Sequence, residues 1–347
     1  MDKRNIIVIG ASAGGFDAIR TLVAGLPADF DAVVLIVWHI SADAPGVMPQ
    51  TLNKHQTLPA AHARDGEPLR FGRIYVAPPD HHLLVEEGVL RVTRGPKENR
   101  FRPAIDPLFR SAAQAYGSRV IGIILSGALD DGSAGLWTIK QYGGVAMVQD
   151  PADAHVSSMP QNALNAVDAD YVLPVRDMAP VLVRIASEEA PVRPSPADKD
   201  RTTLEINIAM ENTNTSADIL HEGTLSPYTC PECHGVLTAL VEGGRVRFRC
   251  HTGHAFSADS LLTSIGENIE ENLWAAVRSI QENVMLLNHM GDHFAEANQP
   301  KVAAMYFKKA QEAGARADSL RRVAESHEQL SNDRITSQAL QDEDQNP

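Results

Sequence analysis

Cysteine is scarce in this chain of 347 residues: three occur, Cys230, Cys233 and Cys250, an odd number confined to one short stretch. That suits a reducing compartment and a metal site better than a disulfide framework. Long hydrophobic runs are missing too. No segment approaches the roughly 18 to 20 apolar residues needed to span a bilayer, and the run after Met1 is too short for a secretory signal. A cytoplasmic protein without membrane insertion is therefore expected. Positive charge is in deficit, with 31 Lys and Arg against 44 Asp and Glu and a formal net charge of −13. This speaks against nucleic acid as a partner, because phosphate binding needs a basic face. What remains is ordinary for a globular chain: 44% hydrophobic and 22% charged residues, over a length that suits two or three domains.

The stretch Ile6-Ile7-Val8-Ile9-Gly10-Ala11-Ser12-Ala13-Gly14-Gly15 opens the first of these domains. Four β-branched apolar residues suit a strand covered on both faces, and the small residues after them suit a tight turn into a helix. Ser12 sits at that turn, ahead of a helix start with free N–H groups and a positive dipole end. It is placed either as a nucleophile with backbone oxyanion donors, or as an N-cap or phosphate-binding serine. Short apolar runs then alternate with helical patterns. Strands are expected over 32–38, 120–125, 145–149 and 171–173, with helices over 16–24, 47–55, 107–116, 135–142, 161–167 and 178–186. The segments 73–77, 82–86 and 89–93 suggest a more antiparallel patch with a turn at Glu87-Gly88. The fold class read from this is α/β: a doubly wound, mostly parallel sheet with helices on both faces. It is followed by a small zinc-ribbon-like module and a helical hairpin.

In such sheets ligands gather at the carboxyl ends of the strands. Three chemically capable residues follow predicted buried strands: Ser12, His39 after Val33 to Trp38, and Asp131 in Ser126-Gly127-Ala128-Leu129-Asp130-Asp131-Gly132. A serine hydroxyl needs a base within hydrogen-bond reach and a carboxylate to hold the imidazole tautomer. The order Ser, His, Asp matches neither the α/β-hydrolases nor the chymotrypsin and subtilisin orders. A nucleotide-binding reading of the glycines is weaker, because the spacing is not G-x-G-x-x-G and the P-loop Lys is missing.

Together, Ile9 to Gly15, Trp38-His39-Ile40, Asn99 to Asp106 and Ser126 to Gly132 resemble the catalytic domain of the CheB-type protein-glutamate methylesterases of bacterial chemotaxis, over roughly residues 4 to 187. The resemblance implies Ser12 as nucleophile, His39 as base and Asp131 as orienting acid. It also implies hydrolysis of methyl esters on receptor glutamates with release of methanol, and deamidation of glutamine as a second activity. The implied partners are a methylated chemoreceptor or related signalling protein, and a chemotaxis kinase or response regulator. Catalysis of this kind needs no cofactor. Three departures from the family pattern bear on the pocket: Ala13 stands where Thr is common, Val37-Trp38 precedes the histidine, and Ala128-Leu129 replaces Met-Gly in the acid loop. The chain starts at the catalytic strand, so control through an attached receiver domain is not expected. A non-catalytic signalling scaffold on the same fold, recruiting partners through its C-terminal helices, is the alternative.

Other polar residues have plainer readings. Asp130 is the neighbouring carboxylate and Asp131 is preferred, since it precedes the glycine. His81 and His82 read as a surface pair at a turn; His55, His62 and His155 have no motif around them. Arg102 and Asp106 read as residues fixing a loop and a helix start, and Met159-Pro160 as a helix start near the pocket edge.

The catalytic domain is expected over 1–187 and a linker over 188–224, where Pro191, Pro194 and Pro196 lie among polar residues. A Cys3His module follows over 225–257. Cys230 and Cys233 form C-x-x-C, and Cys250 with His254 follows a hairpin-sized gap, a set that suits a structural zinc. His254 is preferred to His251 for its wider spacing. A helical hairpin is expected over 258–330 from apolar stripes such as Ile265, Ile269, Leu273, Ala276 and Ile280, then Val302, Tyr306, Ala310, Ala313 and Ala317, broken near Asn298-Gln299-Pro300. The Gln- and Asp-rich end, 331–347, is expected to be disordered.

Overall fold

The computed structural model describes residues 3–55, 58–192, 199–211, 223–242, 244–332, 334–336 and 338–339. The chain divides into two compact units, Met1–Leu261 and Leu262–Pro347. The first is built on a seven-stranded sheet, and every one of its pairings is parallel. Its strands are β1 (Ile6–Ala11), β2 (Val33–Trp38), β3 (Ala60–His62), β4 (Arg73–Val76), β7 (Val120–Ile124), β8 (Val145–Gln149) and β9 (Tyr171–Leu173), in the spatial order β3-β4-β2-β1-β7-β8-β9. A separate hairpin pairs β5 (His82–Glu86) with β6 (Val89–Thr93).

Side chains alternate between the two faces of a strand, so a run such as Ile6-Ile7-Val8-Ile9 serves two cores. Ile7, Ile9, Val34 and Ile36 face α1 (Gly15–Ala24) and α6 (Val175–Ala186), packing with Ile19, Leu22, Leu182 and Ile185. Ile6, Val8, Val33 and Leu35 face α3 (Ile105–Tyr116) and α4 (Ser133–Gln141), packing with Leu108, Phe109, Leu136 and Ile139. Each fully buried side chain of this size contributes about 1.5–3 kcal/mol from burial, and that double layer holds β1 at the middle of the sheet. Two further helices, α2 (Met48–His55) and α5 (Ser158–Ala166), complete the wrapping.

The structure corrects the expected antiparallel patch. Arg73–Val76 is a parallel strand of the main sheet between β2 and β3, while the antiparallel pairing is confined to β5 and β6. Ile74 and Val76 sit in one core and Tyr75 in the other, which requires the two-sided cover of a central parallel strand. His82 is likewise not a surface residue. It is fully buried, with Nε2 donating to the Pro96 carbonyl (2.9 Å) and Nδ1 accepting from Ala104 N–H (3.2 Å), and burial holds its pKa below the ordinary imidazole value.

Within the span expected as linker, Lys199–Ala209 forms helix α7, whose Glu205 is buried between arginines. Residues 193–198 and 212–222 of that span lie outside the described residues. A four-stranded antiparallel sheet follows in the order β10 (Thr224–Thr229), β11 (Val236–Glu242), β12 (Arg245–Cys250), β13 (Ala255–Ser257), and it belongs to the first unit.

Helix α8 (Ala258–Glu296) leads into the second unit, which also holds α9 (Pro300–Glu325). Phe294 stacks on Tyr306 at 5.3 Å, and His327 Nε2 pairs with the Gly266 carbonyl at 3.1 Å. Of the expected disordered end, residues 332, 334–336 and 338–339 are helical, and 333, 337 and 340–347 lie outside the described residues.

Candidate active site

The register of the sheet brings Ser12 and His39 out side by side. Ala11 is level with Trp38 in the β1–β2 pairing, so the next residue on each strand leaves the sheet at the same edge. His39 N–H donates to the Ala11 carbonyl (3.0 Å), Ser12 N–H donates to the Ser126 carbonyl (3.0 Å), and Trp38 Nε1 donates to the Ser12 carbonyl (3.0 Å). These bonds hold the strand ends while the side chains meet above them. His39 Nδ1 lies 3.0 Å from Ser12 Oγ, and His39 Nε2 lies 2.7 Å from Asp131 Oδ2. The imidazole therefore turns Nδ1 to the hydroxyl and Nε2 to the carboxylate.

Asp131 lies on the loop after β7, the strand beside β1, and that loop passes close against Ser12. Gly127 permits the close approach: a Cβ there would lie 2.5 Å from Met159 Cε and 2.8 Å from Ser12 Cβ. The carboxylate, 1% exposed, is surrounded by donors. Oδ2 also accepts from Ile105 N–H (2.7 Å), and Oδ1 accepts from Asn99 Nδ2 (2.9 Å) and Gly132 N–H (3.0 Å). Burial pushes its pKa up, but the His39 contact and these N–H donors outweigh burial and hold it below the usual carboxylate range. It is an anion placed to keep Nε2 protonated and leave Nδ1 free to accept.

The neighbouring carboxylates differ. Asp130 is half-buried and accepts from Ser257 Oγ at 2.7 Å; burial raises its pKa to about 6. Asp106 takes Gly135 N–H at 2.7 Å and Asn99 Nδ2 at 3.0 Å, and burial, opposed by Arg247 and reinforced by Asp131, raises it to about 7.

On the solvent side, Phe101 stacks against the His39 ring at 3.7 Å and 10°. Both border a cleft of about 490 Å³, together with Ser12, Phe16, Trp38 and Arg100. Among the described residues the N–H groups of Ala13 and Gly14 have no acceptor, and they stand at the positive end of α1 beside the Ser12 hydroxyl. Gly14 takes φ +70°, and a Cβ there would lie 2.6 Å from His155 Cβ. Arg102 borders the same cleft and pairs with Asp80 at 2.7 Å.

Asn99 and Phe101 were not marked by residue type. They lie in the motif stretch Asn99 to Asp106, and their contacts are the roles that spacing does not reveal. Asn99 adopts φ 47°, in the left-handed region that asparagine tolerates; a turn-forming residue just ahead of a helix start was the available signal.

The second cluster is formed by Cys230, Cys233, Cys250 and His254, whose ligand atoms all lie within 4.8 Å of one another. Cys233 Sγ lies 3.6 Å from Cys250 Sγ, and Cys250 Sγ lies 3.5 Å from His254 Nδ1. All three cysteines are free thiols. These separations match the edge of a tetrahedron with metal–sulfur bonds of about 2.3 Å, so the donor set fits a zinc ion. His251 is exposed and packs over Gly235 instead.

A parallel α/β sheet that presents a hydroxyl, an imidazole and a carboxylate in line at its carboxyl edge is an arrangement suited to hydrolase chemistry. Residues 7–182 match the CheB methylesterase family model, and the chain belongs to that family. Over 180 residues it is 41% identical to a Leptospira interrogans protein named for protein-glutamate methylesterase and protein-glutamine glutaminase activity, covering 52% of this chain and 93% of that one. It is 40% identical over 173 residues to an Anaeromyxobacter dehalogenans protein-glutamate methylesterase/protein-glutamine glutaminase, covering 50% of this chain and 51% of that one. The crystal structure of the Thermotoga maritima CheB methylesterase catalytic domain aligns with a TM-score of 0.49 at 33% identity, covering 52% of this chain and 97% of that one.

Proposed function

We propose that this chain is a serine esterase that removes methyl groups from glutamate side chains of chemoreceptors, with Ser12 as nucleophile, His39 as base and Asp131 as orienting acid. The observation that carries the reading is the line of contacts from Ser12 Oγ through His39 to Asp131, at 3.0 and 2.7 Å. Ser12 Oγ attacks the ester carbonyl as its proton passes to His39 Nδ1. The negative charge on the carbonyl oxygen is met by the N–H groups of Ala13 and Gly14. When the tetrahedral adduct collapses, the C–O bond to the methoxy group breaks and Nδ1 returns the proton, releasing methanol. Water then adds to the acyl-serine with His39 again as base, and the free glutamate leaves. With a glutamine side chain the same steps release ammonia. General-base help of this kind is worth about 10²- to 10⁴-fold, and each oxyanion donor about 2.7–4 kcal/mol.

The enzyme would act in the cytoplasm, in keeping with its membership of the CheB methylesterase family. The Cys3His cluster would hold a structural zinc in a zinc-ribbon-like module, closed to substrate because four protein ligands fill a tetrahedron. Helices α8 and α9 would form a helical hairpin available to a chemotaxis kinase or response regulator.

The test is release of methanol from methyl-labelled receptor fragments by the full chain. Release that is abolished in Ser12→Ala supports the reading; no release, or equal release by the variant, overturns it. Elemental analysis of fresh protein should find about one zinc per chain, and less than half an equivalent would contradict the metal assignment.

A further inference from the structure

The antiparallel sheet that carries the Cys3His cluster is bonded to the Lys97–Asn99 loop, whose Asn99 side chain in turn bonds the acid of the triad. Two of the four donor residues, Cys250 and His254, bracket the turn between β12 and β13, and Ala255 follows His254 directly. The Ala255 N–H donates to the Lys97 carbonyl (3.2 Å), and its carbonyl accepts from Asn99 N–H (2.8 Å). Two residues on, Ser257 N–H donates to Asn99 Oδ1 at 3.0 Å. The other half of that amide faces the opposite way: Asn99 Nδ2 donates to Asp131 Oδ1 (2.9 Å) and Asp106 Oδ2 (3.0 Å). One oxygen toward a donor and one NH2 toward two carboxylates leaves a single amide orientation that satisfies every partner. Asn99 is 3% exposed, so no water replaces these bonds without rearrangement.

The loop is clamped a second time by the preceding residue. Glu98 is buried and pairs with Arg110 of α3 and with Arg247 and Arg249 of β12, and Arg249 pairs in turn with Glu205 of α7. Breaking such a buried set by removing one partner is costly, because it strands an uncompensated charge. The Asn99 loop therefore takes its position from β12 and β13 as well as from the catalytic sheet.

We infer that Asn99 is a positioning residue for Asp131, and that the Cys3His cluster, by fixing the β12–β13 turn, sets the rate of the chemistry at Ser12. The path runs from His254 to Ala255 and Ser257, to the Asn99 amide, to Asp131 and so to the His39 ring. Occupancy of the cluster becomes a control on the hydrolase, exerted without contact with substrate. The inference rests on the reading of Ser12 as a hydrolytic nucleophile.

The test compares ester hydrolysis by the full chain, wild type and Asn99→Asp, with zinc bound, after its withdrawal by a chelator, and after its return. Aspartate keeps the oxygen that accepts from Ser257 and tolerates the left-handed backbone, but it turns a carboxylate oxygen toward Asp131 in place of the donor. Zinc-loaded Asn99→Asp should lose about 10- to 100-fold in kcat, the scale of one hydrogen bond to a charged group. Its KM should stay within about twofold, because Asn99 does not border the cleft. Withdrawing zinc should lower the wild-type kcat reversibly, at little change in KM, and should have a clearly smaller further effect on Asn99→Asp, where only the bond from Ser257 Oγ to Asp130 (2.7 Å) still joins β13 to the Asp131 loop. An equal fold loss in both proteins would mean that the metal serves general stability, and would overturn the coupling. So would a wild-type kcat in zinc-loaded Asn99→Asp, which alone decides the matter if far-ultraviolet circular dichroism shows that the zinc-free chain unfolds. No hydrolysis by zinc-loaded wild type would remove the nucleophile reading itself, a failure distinct from loss of the coupling.

Discussion

Replacing Asp131 by asparagine changes one atom in a site whose surroundings are all donors, and its consequences follow from the geometry. The Oδ1 position receives N–H groups from Asn99 (2.9 Å), Gly132 (3.0 Å) and Asp106 (3.4 Å), and the Oδ2 position receives Ile105 N–H (2.7 Å) and faces His39 Nε2 (2.7 Å). An asparagine has one acceptor, and three donors against two direct its carbonyl oxygen to the Oδ1 side. The NH2 group then points at His39, so Nε2 must accept and Nδ1 must carry the proton. Nδ1 in that tautomer cannot take the proton of Ser12 Oγ. In the chymotrypsin-type triad the same exchange lowers kcat about 10⁴-fold, and the same order is expected for Asp131→Asn. The Ile105 N–H at the start of α3 also loses its acceptor, at a cost of about 1–3 kcal/mol in stability. Steady-state hydrolysis, with folding checked by thermal unfolding, measures both effects. KM should move little, because Asp131 does not border the cleft. A variant that keeps more than about a tenth of the wild-type kcat would refute the reasoning.

Three further outcomes are expected. Phe101→Ala removes the ring stacked on His39 at 3.7 Å; at about 0.5–1.5 kcal/mol for such a pair, kcat should fall by about two- to tenfold, and an unchanged kcat would show that the ring does not hold the imidazole. Gly127→Ala places a Cβ 2.8 Å from Ser12 Cβ, so hydrolysis should fall at least tenfold, and a variant with wild-type rate would contradict the close approach of the Asp131 loop to Ser12. Asp106 is raised to about 7, chiefly by burial, so the folded state binds its proton more tightly than the unfolded chain. Its share of stability is fully present below the ordinary carboxylate range and is lost as pH rises toward 7. The melting temperature of Asp106→Asn minus that of wild type should therefore increase between pH 5 and pH 8, and a flat or falling difference would argue against the raised value.

Much of the catalytic half was legible because its signals are local. Ile6 to Ile9 can only be buried on two faces, and the small residues after them mark where the chain must turn, which puts Ser12 at the strand end. Direction and partner are not local. The run Arg73–Val76 is too short to reveal that its neighbours are β2 and β3 in parallel, and proximity to a hairpin suggested the opposite. His82 follows a Pro-Pro-Asp turn that reads as surface, but its burial is set by two backbone groups on other segments, Pro96 and Ala104. Helix α7 is hidden in the sequence for a different reason: its buried Glu205 is matched by Arg249 and Arg110, and charge pairing leaves no period in the hydrophobic pattern. The bonds joining β13 to Asn99 link positions 158 residues apart, a separation that motif spacing does not carry.

The account turns on whether the Ser12 hydroxyl is an activated nucleophile. Treating the full chain with a fluorophosphonate and locating the adduct by peptide mass spectrometry measures this directly. The expected result is one adduct per chain on Ser12, formed quickly in wild type and slowed by orders of magnitude in Asp131→Asn. Folded protein that stays unlabelled, or that carries its adduct on another residue, would contradict it.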